Sequence, residues 1–246
     1  MKNKLDKALL LSLVVGSIGF LLNMAVVLNG YDSDGLPKHG FFLATVLPFY
    51  ALLAAALPVV LFYKTKGTRK YLQIFTASTP AALGMIAAAL GILISGIVDL
   101  AGGAKGLVFW RGIVGILAAL ALVPCAMCRK KGTRPVWLCW AAVTVYLVLM
   151  LIGNYSVWTR QAVLNKFLYQ LLAGAVLMLT AYQQAAADAG IGSLKEYLIL
   201  SLMCVVLCPI AVMGSSQWLV YLGFLVYHVL NLLNLDLSKH KSTEGE

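Results

Sequence analysis

Gln217, Tyr221, Phe224, His228 and Asn231 recur at alternating intervals of four and three residues. On a helix that spacing gathers them within an arc of about 80°. The rest of the segment reads mostly Leu and Val, so the five form a polar and aromatic stripe on an apolar helix. His228 lies near mid-length, and imidazole is the side chain that most readily exchanges a proton near neutral pH. Ionisable groups inside a membrane segment are functional candidates by default. Gln217, Tyr221, His228 and Asn231 are therefore the candidate ligand-binding residues, facing a bundle interior. The plainer alternative is a neutral histidine hydrogen-bonded to Asn or Tyr of a neighbouring helix.

A second constellation joins Asp99 to Arg111 across Leu100–Trp110, with Arg160 and Lys166 flanking a later loop on the same side. A short antiparallel hairpin brings Asp99 and Arg111 together. Asp99, Arg111 and Arg160 could then meet an anion or a lipid headgroup. An interfacial ion pair with snorkelling basic side chains explains the same residues.

Weaker patterns suggest a metal. Asp32 and Asp34 share a short loop with Gly35 and Pro37, which Asx-turn chemistry explains as well as a hard cation does. Cys125 and Cys128 have C-x-x-C spacing, with Cys139 at similar depth on the next helix. No second C-x-x-C follows and no histidine is near, so these read as small buried hydrophobes. The expectation is no metal, no cofactor and no catalytic residue. The zinc-protease, nucleophile-elbow and P-loop motifs are absent from the sequence. All nine acidic residues fall in loops or at the ends of apolar runs, whereas ion-coupled transporters place carboxylates near the midplane. Paired mid-membrane histidines, which a haem-bearing bundle would need, are missing too.

The elements that must position these residues are apolar runs. Eight are long enough to cross a bilayer: 8–28, 41–63, 80–98, 107–128, 136–153, 162–186, 196–214 and 217–235. The chain is 61% hydrophobic and 11% charged, against about 25% charged for a soluble domain. It reads as all-α, a polytopic membrane bundle forming one domain over 1–246, with a polar tail at 236–246. The first run is longer than a signal-peptide core and reads as a retained helix. A net charge of +10 does not indicate nucleic acid here, because the cations alternate between loops. Lys2, Lys4 and Lys7 precede the first run. Lys64, Lys66, Arg69 and Lys70 follow the second, and Arg129, Lys130, Lys131 and Arg134 follow the fourth. Lys195, Lys239 and Lys241 complete that face, and the opposite face is sparser. The positive-inside rule places both termini in the cytoplasm. The five cysteines all lie within apolar runs, which argues against a disulfide framework.

Two faces of small residues imply close helix contact. Ser12, Gly16, Gly19 and Asn23 share an arc of about 60°, as do Gly84, Ala88, Gly91 and Ser95. Such faces serve packing within one chain, a homo-oligomer, or a membrane partner protein. Thr79-Pro80 should cap and open the third helix. Pro48, Pro58, Pro124 and Pro209 should lie inside helices. Lys66-Gly67-Thr68-Arg69 and Lys131-Gly132-Thr133-Arg134 repeat after the second and fourth runs. A duplicated hairpin, or basic turns recurring under the charge constraint, explains the repeat.

Tyr31–Pro37, Arg134-Pro135-Val136-Trp137 and Leu171–Ala181 leading into Tyr182 together resemble a group of multi-span proteins of anaerobic Gram-positive bacteria. That resemblance implies eight spans in the cytoplasmic membrane and carries no activity or site residues. The functional expectation is a protein in the lipid bilayer that binds or transports a small amphipathic or neutral solute, or a lipid. The alternative is a non-catalytic subunit or scaffold. A lipid-modifying enzyme with His228 as base is the weakest of the three.

Overall fold

A computed structural model describes residues 2–30, 38, 42–63, 75, 77–103, 105–133, 136–158 and 167–235, and among these described residues eight helices form where the apolar runs lie. They are α1 (Lys2–Asn29), α2 (Phe42–Phe62), α3 (Thr79–Ala101), α4 (Leu107–Lys131), α5 (Trp137–Trp158), α6 (Leu168–Asp188), α7 (Leu194–Val212) and α8 (Trp218–Leu233). Among the described residues, six are long and apolar enough to cross a membrane: α1 to α5 and α7. α8 is apolar but only 16 residues long. α6 has 21 residues, with Gln170, Thr180, Gln183 and Gln184 among them. The chain is thus a multi-span helical membrane protein. Of the eight helices expected to span, six meet both the length and the hydropathy of a membrane crossing; α8 is apolar but short, and α6 is long but carries several polar groups.

Boundaries differ from the expected ones where charge was taken as the end of a helix. α1 begins at Lys2 and includes its lysines, and α4 runs on through Arg129 to Lys131. Gly132 then stops α4 in the left-handed conformation, at φ 71°. Ser78, not Thr79, caps α3: its hydroxyl accepts from the Ala81 amide at 3.2 Å, and Thr79 and Pro80 are the first helical residues. All four prolines expected within helices are there.

Six helices close a ring in the order α3, α4, α5, α6, α7, α8 and back to α3, each packed on the next. The α1–α2 hairpin stands outside it and leans mainly on α7. The two hairpins that carry the repeated tetrapeptide therefore occupy inequivalent places. Lys66–Arg69 and Arg134 lie outside the described residues. Aromatic and aliphatic side chains fill the ring, among them Trp140, Tyr146, Tyr221, Phe224 and Tyr227.

Both small-residue faces are consumed within the chain. α1 sets Gly16 against α7, where a Cβ would lie 2.9 Å from Val205 O and 3.3 Å from Pro209 Cγ. Pro209 has no N–H to offer the carbonyl one turn earlier, and the close approach of α1 shields that carbonyl. Two turns along α1, buried Asn23 donates its amide to Ile210 O at 2.5 Å and to Met213 O at 3.3 Å. It thereby serves carbonyls at the end of α7 that lack helical donors. Asn23→Leu should lower stability by about 1–3 kcal/mol, read as a lower thermal midpoint in detergent. An unchanged midpoint would show that this cap contributes nothing. α3 uses its own glycines against α8: a Cβ on Gly84 would lie 2.8 Å from Tyr227 Cα.

Candidate functional site

α8 turns its stripe inward. Gln217, Tyr221, Phe224, His228 and Asn231 are all at most 2% exposed, as the four-three spacing requires if one face of a helix meets the ring interior. The stripe is held at both ends by arginines of α4.

At the first end, where α3 and α5 finish and α4 and α8 begin, Arg111 is the hub. Its Nε donates to Asp99 Oδ2 at 2.7 Å and its Nη2 to Asp99 Oδ1 at 2.6 Å, a two-pronged pair. Nη1 donates to Asn154 Oδ1 at 2.8 Å. With its amide oxygen turned to these donors, Gln217 accepts from the guanidinium at 2.8–3.1 Å. Four helices thus meet on one cation that is only 6% exposed. The planar fork of arginine allows this, and lysine would not reproduce it.

At the opposite end Arg129 plays the matching part. Its Nη2 donates to Asn231 Oδ1 at 3.0 Å, and its guanidinium lies 4.8 Å from the Phe75 ring centroid. Asn231 in turn donates to the Tyr197 hydroxyl on α7. Arg129 is 5% exposed. The sequence reading placed it among loop cations, but the extra turn of α4 carries it inside.

Between the two arginines the column is uncharged. The Tyr221 hydroxyl donates to Gln170 O at 3.1 Å. His228 lies 4.8 Å from the Tyr227 ring and stacks at 6.2 Å on Phe224. The Cys204 thiol lies against the imidazole, with Cys208 beside it and Thr180 Oγ1 at 3.3 Å. Neither ring nitrogen of His228 closes a hydrogen bond of normal geometry with the protein, and the same is true of Trp140 Nε1. Buried polar atoms nearly always have partners, and among the described residues the imidazole has only the Cys204 thiol beside it.

No family model, curated protein or solved structure matches the chain. The site must therefore be judged on its own geometry.

All four candidate ligand residues meet in one column. Asp99 and Arg111 also meet, but Arg111 spends its donors on Asp99, Asn154 and Gln217. Arg160, the third residue of the anion constellation, lies outside the described residues, as do Lys166, Asp32 and Asp34. Cys125 faces Cys139. Among the described residues, no group of three or more Cys, His, Asp or Glu is placed to hold a metal ion. A thiol beside an imidazole is the pairing a nucleophilic cysteine uses. Here Cys204 is 0% exposed, and no third group hydrogen-bonds the imidazole to orient it.

Sequence reasoning missed Arg129, Asn154, Tyr197 and the Thr180–Cys204 contact. For Arg129 a signal existed. It stands 18 residues after Arg111, five full helical turns, so both arginines point from one face of α4 about 27 Å apart.

Proposed function

We propose that the chain is an eight-span protein of the cytoplasmic membrane, with both termini in the cytoplasm, and that it binds and conducts a small neutral or amphipathic solute within the α3–α8 ring. The Arg129 end then faces the cytoplasm, because Lys2, Lys4, Lys7, Lys130, Lys131 and Lys195 gather there. The observation that carries the reading is His228: 2% exposed, in the middle of the column, with the Cys204 thiol as its one polar neighbour among the described residues. A neutral imidazole offers one donor and one acceptor, and Trp140 Nε1 adds a donor. A solute that both accepts and donates, with an apolar body against Phe224 and Tyr227, suits that set. The charged groups sit at the two ends and are bound to the protein, so the middle favours an uncharged occupant.

The test is native mass spectrometry of protein extracted in mild detergent, followed by affinity measurement for whatever molecule is retained. His228→Ala should weaken that affinity about ten-fold or more, since a buried hydrogen-bonding partner is worth about 1–3 kcal/mol. Unchanged affinity in a folded variant rejects the site. A second reading, a non-catalytic subunit, is favoured by the α1–α2 hairpin standing outside the ring. Co-purification of a stoichiometric protein that is lost when the exposed α1 face is altered at Leu10 and Leu21 would select it.

A further inference from the structure

Where α1 begins, α2 ends and α7 begins, a groove of about 460 Å³ opens, lined by Lys4, Val59, Val60, Leu61 and Tyr63. Its wall is apolar and open to the surroundings, with Val60 75% and Tyr63 72% exposed. Its rim is cationic. Lys4 Nζ stands 5.2 Å from the centroid of Phe62. From α7, Lys195 Nζ donates to Tyr63 O at 2.8 Å and lies 5.5 Å from the Tyr63 ring. Phe62 and Tyr63 are consecutive, so two ammonium groups from two different helices converge on one turn of a third. Among the described residues, neither of these lysines has a carboxylate within pairing distance. In sequence, Lys64, Lys66, Arg69 and Lys70 follow Tyr63 and lie outside the described residues.

We infer that this groove binds an anionic phospholipid, one acyl chain lying along Val59, Val60 and Leu61 and the phosphate held by Lys4 and Lys195. An apolar trough with two ammonium groups at its mouth, and no carboxylate paired to them among the described residues, matches the two ends of such a molecule. A zwitterionic lipid matches only the trough. Basic residues clustered just beyond a membrane helix favour anionic headgroups, and an amphipathic ring directly after a helix end, as Tyr63 is, suits the membrane interface. The site is separate from the α8 column and stands whether or not that column binds a solute.

The experiment uses the full chain in mild detergent, titrated with phosphatidylglycerol or phosphatidylcholine of identical chains and read by native mass spectrometry. Phosphatidylglycerol should be preferred at least about ten-fold. Each of Lys4→Gln and Lys195→Gln should weaken it about five-fold, as one basic residue near an anionic surface does, and arginine at both positions should restore it. Val60→Trp, which fills the trough from its lipid-facing side and keeps both lysines, should weaken the binding of phosphatidylglycerol and phosphatidylcholine alike. Lys131→Gln, an exposed cation at the same end on α4, should leave it unchanged. Equal retention of the two lipids overturns the inference. So does an equal loss in Lys131→Gln, which would mean diffuse surface charge. Displacement of phosphatidylglycerol by millimolar inorganic phosphate also overturns it, because the site would then be one for a free anion.

Discussion

Arg111→Met should destabilise the protein by about 3–5 kcal/mol, the usual result of removing one member of a buried ion pair. The pair itself is not the reason for so large an effect. Two opposite charges taken out of water barely recover their desolvation, but one charge left behind recovers nothing. Without the guanidinium, Asp99, Asn154 and Gln217 lose the group to which all three are bonded. Their side chains are buried or nearly so, at 12%, 7% and 2% exposure. Asp99→Asn should do less damage, because the arginine keeps its bonds to Asn154 and Gln217. The double variant Arg111→Met/Asp99→Leu should be more stable than Arg111→Met alone, since it leaves no orphaned charge. Unfolding in a graded mixture of mild and denaturing detergents measures all three. An Arg111→Met protein within 1 kcal/mol of the parent would mean that water already solvates this end of the bundle. The ordering of the three variants matters more than any single value, because members of one network do not add.

The hub also shows where the sequence was legible. Asp99 and Arg111 were readable as neighbours because a short hairpin leaves them little choice. The inward stripe of α8 was readable because helical period is a property of the backbone and needs no knowledge of the partner. Asn154 was not, since it is a single amide at the end of a long apolar run, and only the ring closure of α3 to α8 brings it to the column. Arg129 was misread for a different reason. Arg129, Lys130 and Lys131 look identical to a charge count, yet the first is buried and the other two exposed. A helix that continues one turn past its apolar run sorts three adjacent cations by angle, which hydropathy does not resolve. α6 and α8 likewise depart from the standard span because they are chiefly interior elements. α6 exchanges apolar length for Gln170, Thr180, Gln184 and Asp188, all buried.

The polar column and the glycine seam depend on one another. In a bilayer no hydrophobic drive pulls helices together, so close packing and interhelical hydrogen bonds must do so. At the α3–α8 seam the approach is reciprocal. A Cβ on Gly91 would collide with the Leu219 carbonyl of α8, and a Cβ on Gly223 would lie 2.7 Å from Ala87 O and 2.9 Å from Ala88 Cα of α3. Each glycine faces the other helix's backbone, so no rotamer change can relieve the clash and the helices must separate. Gly91→Leu should therefore cost about 3 kcal/mol, the upper end for overpacking or beyond it. Gly153→Ala is the control, because its added methyl would stand 3.6 Å from the nearest atom. It should lie within about 1 kcal/mol of the parent, the better helix propensity of alanine offsetting any small packing cost. The informative readout is local hydrogen exchange. Pushing α8 from α3 also draws Gln217 from Arg111 and Asn231 from Arg129, so protection should fall at both ends of α8 as well as at the seam. Loss confined to the residues around position 91 would show that α4 holds α8 by its arginines alone, without the glycine contact.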